Sequence, residues 1–288
     1  SRITRDHILA FLLKKHKHLT EEQFQPLYEI TLFKLSRYQK YYPELVNKRL
    51  TPSNIIYEVE RKHFAMVFQN KVPALLRVKN GTVDEGVCLN LLVMGVTYVE
   101  DRGIYFVQLT DGWFTLFAVV VDEPRRTSGR PSNHHLLARL IRQKKLYVGS
   151  KISIAGWRFY PVRNIIKSLD NALNGQAIEL FYNSTNRLSS NARLGFSRRP
   201  FYRPLRNCIE AGGNIPLTEF IIVKKYDHVD EGHFYLRISD QHGDSYCMRV
   251  PGSEEVASFY KPKDCYQMRK IRFYGGRELE PSKESSIV

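Results

Sequence analysis

The chain has 288 residues, 43% of them hydrophobic, and carries a formal net charge of +15 from 44 Lys+Arg against 29 Asp+Glu. That length supports two or three domains with a substantial core, and the basic surplus points to nucleic acid, an acidic protein partner or an anionic membrane surface. No membrane-spanning helix is expected, because no apolar run reaches roughly 18 residues; no secretory signal is visible, since Ile8–Leu13 is short and runs into Lys14-Lys15-His16-Lys17-His18.

The first 80 residues read as helices. Asp6–Leu19 is too apolar for a free surface helix. Thr20-Glu21-Glu22-Gln23 fits a capping box, with a hydroxyl at the N-cap and Gln at N3. The helix that follows places Phe24, Leu27, Leu32, Leu35 and Tyr38 broadly on one face and ends at Pro43. Thr51-Pro52 opens another, because proline at N1 gives up an N–H that no helical bond would use. Asn80-Gly81 makes a turn, and a helical domain over residues 1–85 is expected.

From Cys88 the character changes to strands. Cys88–Val99 is a long β-rich run with Gly95 inside it, which predicts a bulge. Gly103–Val121 reads as a hairpin around Asp111-Gly112, with a two-residue type I′ turn. Tyr105, Val107 and Leu109 alternate with Ile104, Phe106 and Gln108, and Trp113–Val121 is apolar enough to be covered on both faces. A helix over His134–Leu146 and strands over Lys151–Trp157 and Ala177–Tyr182 follow, with a polar loop, Phe159–Gly175, between the strands. Three strands, a helix and two strands is the order of an OB barrel.

The pattern then recurs. Gly232–Asp240 (GHFYLRISD) repeats Gly103–Asp111 (GIYFVQLTD), which suggests two copies of one domain. Asn183–Asn214 is a connector rich in Ser, Asn, Arg and Pro. Leu217–Tyr226, Phe234–Asp240, Tyr246–Val250 and Met268–Tyr274 are expected strands, with a short helix at Ser253–Tyr260. No fifth strand is visible, so the second copy is expected to be truncated at its C-terminal end. A chain starting at Ser1 is likewise expected to be processed or part of a longer one. The fold class is therefore α+β multidomain: a helical domain (1–85), a first OB barrel with its connector (86–214) and a second OB barrel (215–288).

Chemistry-bearing motifs are sparse. Cys88, Cys208, Cys247 and Cys265 form no C-x-x-C pair, so free thiols in a reducing compartment are expected. His16, His18, His134 and His135 have no carboxylate or cysteine at ligand spacing, so no metal is expected. No P-loop, G-x-S-x-G or H-E-x-x-H occurs, and no catalytic residue, enzymatic activity or cofactor is expected. The charge is uneven: +6 over residues 1–85, +10 over 86–214 and −1 over 215–288. The basic surface thus belongs to the helical domain and first barrel.

Several motifs in order resemble the DNA-binding region of the breast cancer type 2 susceptibility protein family. They are Leu32-Phe33-Lys34-Leu35, Arg49-Leu50-Thr51-Pro52, Leu109-Thr110-Asp111-Gly112-Trp113, Leu146–Ile152, Asn183-Ser184-Thr185, Leu194-Gly195-Phe196 and Gly212-Gly213-Asn214. That family's vertebrate members insert a long helical tower in the second OB domain. Here only Asp227–His233 separates Tyr226 from Phe234, so no tower insertion is expected, nor a third OB domain within these 288 residues. The resemblance implies a nuclear recombination mediator that binds single-stranded DNA and assists a RecA-like recombinase, the latter through regions outside this chain. It also implies a partner, the small acidic protein of the split-hand/split-foot family, on the helical domain and first barrel.

Candidate sites follow from strand alternation. If Phe234, Leu236 and Ile238 point inward, Tyr235 and Arg237 point outward, joined by Arg249 on the next strand and by Lys270, Arg272 and Tyr274 on the fourth. Cations beside stacking aromatics suit single-stranded DNA. Lys34, Arg125, Arg126, Arg130, Arg198, Arg199 and Arg203 are candidates for the acidic partner, the alternative being solvated loop charge. Asp111 and Gly112 are read as turn residues, and Trp113 as packing the hairpin against the helical domain rather than stacking on bases. The competing functional class is a protein-assembly scaffold whose OB folds bind an acidic protein and only weakly DNA.

Overall fold

A computed structural model describes residues 3–42, 44, 49–121, 135–161, 176–210, 212–230, 232–252, 254–275, 277–281 and 287. Helices α1 (Arg5–Lys15), α2 (Glu21–Tyr41), α3 (Pro52–Phe68) and α4 (Ala74–Lys79) come first. Thr20 caps α2 reciprocally with Gln23, both bonds at 3.3 Å. The Thr51 hydroxyl accepts from the Asn54 amide at 3.3 Å to start α3. Leu12, Phe24, Leu27, Leu35, Ile55 and Val59 form one core among α1, α2 and α3. Helix α4 does not join it. Ala74, Leu75 and Val78 lie instead in the core of the first sheet.

That sheet contains β1 (Leu89–Val99), β2 (Ile104–Thr110), β3 (Thr115–Val121), β4 (Lys151–Ile154), β5 (Arg158–Pro161), β6 (Gln176–Glu179), β7 (Thr185–Leu188) and β8 (Gly195–Phe196), with α5 (His135–Arg142) after β3. The order is β5-β6-β3-β2-β1-β4-β7, with β8 on β1. The expected fourth strand ends early, at Ile154, as β4, which pairs with β1, and the start of the expected polar loop instead forms β5, which pairs with β6, itself parallel to β3. One bent run thus supplies β5 at one edge of the curled sheet and β4 next to β7 at the other. The register shift between Val93 and Gly95 is the expected bulge. Tyr105, Val107 and Leu109 face the main core, and Ile104, Phe106 and Val119 form a second apolar cluster behind them.

The second sheet repeats this plan with β9 (Thr218–Asp230), β10 (His233–Ser239), β11 (Ser245–Pro251), β12 (Cys265–Met268), β13 (Ile271–Gly275) and β14 (Glu278–Pro281), and with α6 (Glu254–Ser258) after β11. The order is β12-β9-β10-β11-β14-β13. Strand β14 corrects the sequence reading, which found no fifth strand. It runs parallel to β11, as β6 does to β3. The hairpin pairs Asp230 with His233, leaving no room for a tower. Helices first, then two curled sheets of like topology, is an arrangement consistent with OB folds.

The repeated aspartates explain the repeated sequence. Asp111 is buried, and its carboxylate accepts from the Trp113 and Phe114 amides at 2.9 and 2.8 Å. Its other oxygen accepts from the Leu75 amide at 2.9 Å. Leu75 is the second residue of α4, whose N-cap, Pro73, offers no side-chain cap, so the hairpin caps a distant helix. Asp240 does the same in the second unit, accepting from His242 (2.9 Å), Asp244 (3.1 Å) and Arg206 (3.4 Å). Arg206 is the second residue of a 3₁₀ turn, Leu205–Asn207, that follows Pro204. Leu75 and Leu205, both fully buried, plug the two cores. These bonds also overturn the expected two-residue turn: β2 and β3 close at Thr110↔Thr115, giving a four-residue loop, and only Gly112 has positive φ (+90°).

Removing either carboxylate orphans buried amides. Asp111→Ala is expected to destabilise the chain by about 2–4 kcal/mol, and Asp240→Ala by a similar or smaller amount because its Arg206 bond is longer. Urea unfolding checks this: an unchanged midpoint for Asp111→Ala would remove the brace from the account of the fold.

Candidate nucleic-acid interface

The second sheet sorts its side chains by alternation. Phe234, Leu236 and Ile238 on β10, and Tyr246, Met248 and Val250 on β11, fill the core. Their neighbours face out. Tyr235 lies opposite Arg249, and Arg237 opposite Cys247. On the other side of β10, Arg237 lies opposite Lys224 of β9. Sequence alternation missed Lys224 because the β9 register shifts: Ile222 pairs with Ile238 and Lys224 with Arg237, so Val223 is the extra residue of a bulge. The Lys224 ammonium sits 5.0 Å from the centroid of the exposed Tyr226 ring. Like charges directly opposite each other in a sheet are destabilising, yet neither Lys224 nor Arg237 meets a carboxylate at ion-pair distance among the described residues. A polyanion crossing the strands would relieve that repulsion, with Tyr226 and Tyr235 as stacking surfaces beside it.

The remaining predicted members stand differently. Lys270 occupies the turn between β12 and β13 with φ +57°. Its ammonium reaches Asp84, before the first sheet, at 3.6 Å, and its stem covers Gly86. It joins the two units and leaves the predicted face. Arg272 is exposed but holds Glu280 at 3.2 Å. The Tyr274 side chain lies outside the described residues.

A second basic, aromatic feature occupies the seam between α2, α3 and the first sheet. This groove of about 470 Å³ is lined by Lys34, Arg37, Arg61 and Lys62 together with Phe33, Tyr38, Tyr41, Tyr42 and Trp113 over an aliphatic floor. Helix α2 carries two stripes: Phe24, Leu27, Thr31 and Leu35 face the helical core, while Phe33, Arg37 and Tyr41 face the groove. Trp113 here packs the hairpin toward the helices, with Lys71 5.3 Å from its ring. Arg37 donates to the Val148 carbonyl and, at 2.7 Å, to the Tyr41 hydroxyl. The positive φ of Gly149, +101°, favours glycine beside it, and a Cβ there would also push the guanidinium aside. Glu58 binds Lys34 and Arg61, each at 3.0 Å. Burial alone would raise the Glu58 pKa, but these two hydrogen-bonded cations hold it below the usual carboxylate range. Lys62 is the residue sequence reasoning missed here: it is 4% exposed, and its ammonium donates to the Gly112 carbonyl at 2.8 Å.

Residues 73–198 match the family described as BRCA2, oligonucleotide/oligosaccharide-binding, domain 1. That segment of the chain is a BRCA2-type first OB domain. The matched segment begins at Pro73, the N-cap of α4, and ends just after β8, so the BRCA2-type barrel takes in the helix that Asp111 caps. Among solved structures, a murine DNA-binding protein bound to double-stranded DNA is 12% identical over 70% of this chain and 94% of that chain, with a TM-score of 0.28. Fission yeast Pot1 with single-stranded DNA is 8% identical over 70% of this chain and 82% of that chain, with a TM-score of 0.25. Likeness at that distance carries no argument for function, so the surface itself must supply one.

The candidate partner residues of this BRCA2-type unit divide. Lys34 lines the seam groove, and Arg198 and Arg199 are exposed. Arg125, Arg126 and Arg130 lie outside the described residues. Arg203 departs from the expectation: it donates to the Thr185 carbonyl at 2.6 Å and lies over the Tyr182 ring at 4.9 Å. Burial lowers its pKa, and its role is to join connector and barrel.

Lys62 gives the seam a pH signature. Burial lowers its pKa from 10.5 to about 8. The unfolded chain therefore holds a proton that the folded chain has lost between those values, and stability gains a component that rises with pH across that window. Buried thiols such as Cys208, whose pKa is pushed up to about 12, contribute with the opposite sign over the same window, so the stability of the parent chain relative to Lys62→Met isolates the lysine: that difference in urea midpoint should rise from pH 7.5 to 10.5, and a pH-independent difference would place the lysine in water.

Proposed function

We propose that this chain is a helical domain followed by two OB folds that bind single-stranded DNA in homologous-recombination repair in the nucleus, without enzymatic activity of its own. The observation that carries the DNA reading is the Lys224/Arg237 pair, directly opposed across β9 and β10 with no carboxylate at ion-pair distance among the described residues, between Tyr226 and Tyr235. Bases are taken by the rings and phosphates by the cations, and stacking contributes about 1–3 kcal/mol per base. The BRCA2-type first OB domain over residues 73–198 supports a role as mediator for a RecA-like recombinase, contacted through regions outside this chain.

A specific feature also favours docking of a small acidic protein of the split-hand/split-foot type. The seam groove sets four cations around an aliphatic floor, within the helical and first-barrel regions that carry the chain's excess of positive charge. In the scaffold reading this groove is the main binding site and DNA is secondary.

Two measurements separate these readings. Fluorescence anisotropy with labelled oligo-dT and with duplex DNA is expected to show preferential, salt-sensitive binding to the single strand. Arg237→Ala combined with Tyr235→Ala should lower that affinity at least tenfold and flatten the salt slope by about 0.7, the loss of one phosphate contact. Unchanged affinity and slope would remove the second barrel as the DNA site. Lys34→Glu should weaken binding of the acidic protein, read by calorimetry at two salt concentrations, while leaving oligo-dT binding within twofold. If instead both ligands lose affinity together, they share the groove.

A further inference from the structure

The outer face of the second sheet changes sign from one strand to the next. Its β9 and β10 columns present Lys224 and Arg237, and β11 adds Arg249. The next strand, β14, presents Glu278 directly beside Cys247, in parallel register with it, while Leu279 pairs with Met248 toward the core. Glu280, two residues beyond Glu278, therefore faces out as well. It holds Arg272 of β13 at 3.2 Å, and the two residues are directly paired across β13 and β14. The cations of this face thus differ in what they already hold: Arg249 meets the His233 ring at 3.3 Å. Lys224 and Arg237 have no carboxylate at ion-pair distance among the described residues. Arg272 is already neutralised.

From this we infer that Glu278 and Glu280 form an acidic border that ends the nucleotide track at β11 and keeps Arg272 from contributing a phosphate contact. The inference rests on the proposed DNA-binding reading and refines it by setting the extent of the site. A phosphate placed over β14 would meet two carboxylates with only one compensating cation. The strand is therefore confined to the β9–β10–β11 columns, and Arg272, which sequence alternation alone would count as a DNA contact, acts as the counter-ion of Glu280.

Four variants, with Arg237→Ala as reference, and the parent chain test this with labelled oligo-dT of graded lengths over a salt series. Arg272→Ala should change affinity less than twofold and leave the salt slope unaltered, in contrast to Arg237→Ala. Glu280→Gln preserves shape while removing the charge; it should tighten binding several-fold and steepen the slope by about 0.7 by releasing one cation. Glu278→Gln with Glu280→Gln should also lengthen the shortest oligonucleotide that saturates the site. Arg272→Ala in the Glu280→Gln background should return the slope to the parent value, a cycle that a merely structural ion pair would not produce. If the parent binds DNA and Glu280→Gln changes nothing, or Arg272→Ala weakens binding as Arg237→Ala does, the border is overturned while the DNA site stands. A parent chain that binds no single strand overturns both.

Discussion

The buried carboxylate of Asp111 is the constraint on which the first half of the molecule depends. It satisfies two amides of its own loop and one at the start of α4, 36 residues earlier in the chain. Without it, α4 would begin with buried N–H groups that Pro73 cannot satisfy. With α4 fixed, Leu75 and Val78 enter the sheet core and the chain from α3 is brought over the hairpin. There Lys62 reaches the carbonyl of Gly112, the very next residue. One acid side chain thus orders the loop, the helix that closes the core and the seam to the helical bundle. Asp240 repeats the first two tasks in the second unit.

The two units share a frame but diverge on the outer face. In the first sheet the outward positions Ile104 and Phe106 are covered, and Gln108 is bonded to Glu29 of α2 at 3.2 Å. That face is used for packing. In the second sheet the corresponding residues of the repeat are His233, Tyr235 and Arg237, left at the surface. The same strand geometry serves cohesion in one copy and leaves a charged, aromatic face at the surface in the other, and local side-chain chemistry decides this despite the second unit's slightly negative total charge.

Much of this was legible in the sequence because two-residue alternation is a strong constraint wherever one face is buried. It placed Tyr235, Arg237 and Arg249 outward and the core residues of β10 and β11 inward. Where it failed, a local exception is identifiable. The bulge at Val223 hid Lys224. Strand β14 has a single inward apolar residue, Leu279, flanked by charges, so its sequence lacks a strand signature. Asp-Gly announced a tight turn, but a carboxylate that binds the amides of Trp113 and Phe114 needs a wider loop. Six-residue α4 is too short for periodicity to show which core it joins. The fates of Arg203 and Lys270 depend on contacts between distant segments, which no local pattern carries.

The connector between the two units holds a last consequence. Asn183 is fully buried; its side-chain amide donates to the Ile209 and Gly213 carbonyls at 2.8 and 3.1 Å, and its oxygen accepts from the Ile209 amide at 2.9 Å. Asn183-Ser184-Thr185 also spells the acceptor sequence for N-linked glycosylation. The nitrogen that would carry a sugar is the one that clamps the connector, and a glycan has no volume to occupy there. Folding and glycosylation at this asparagine are mutually exclusive, so a chain sent through a glycosylating compartment before it folded would lose the clamp between its two barrels.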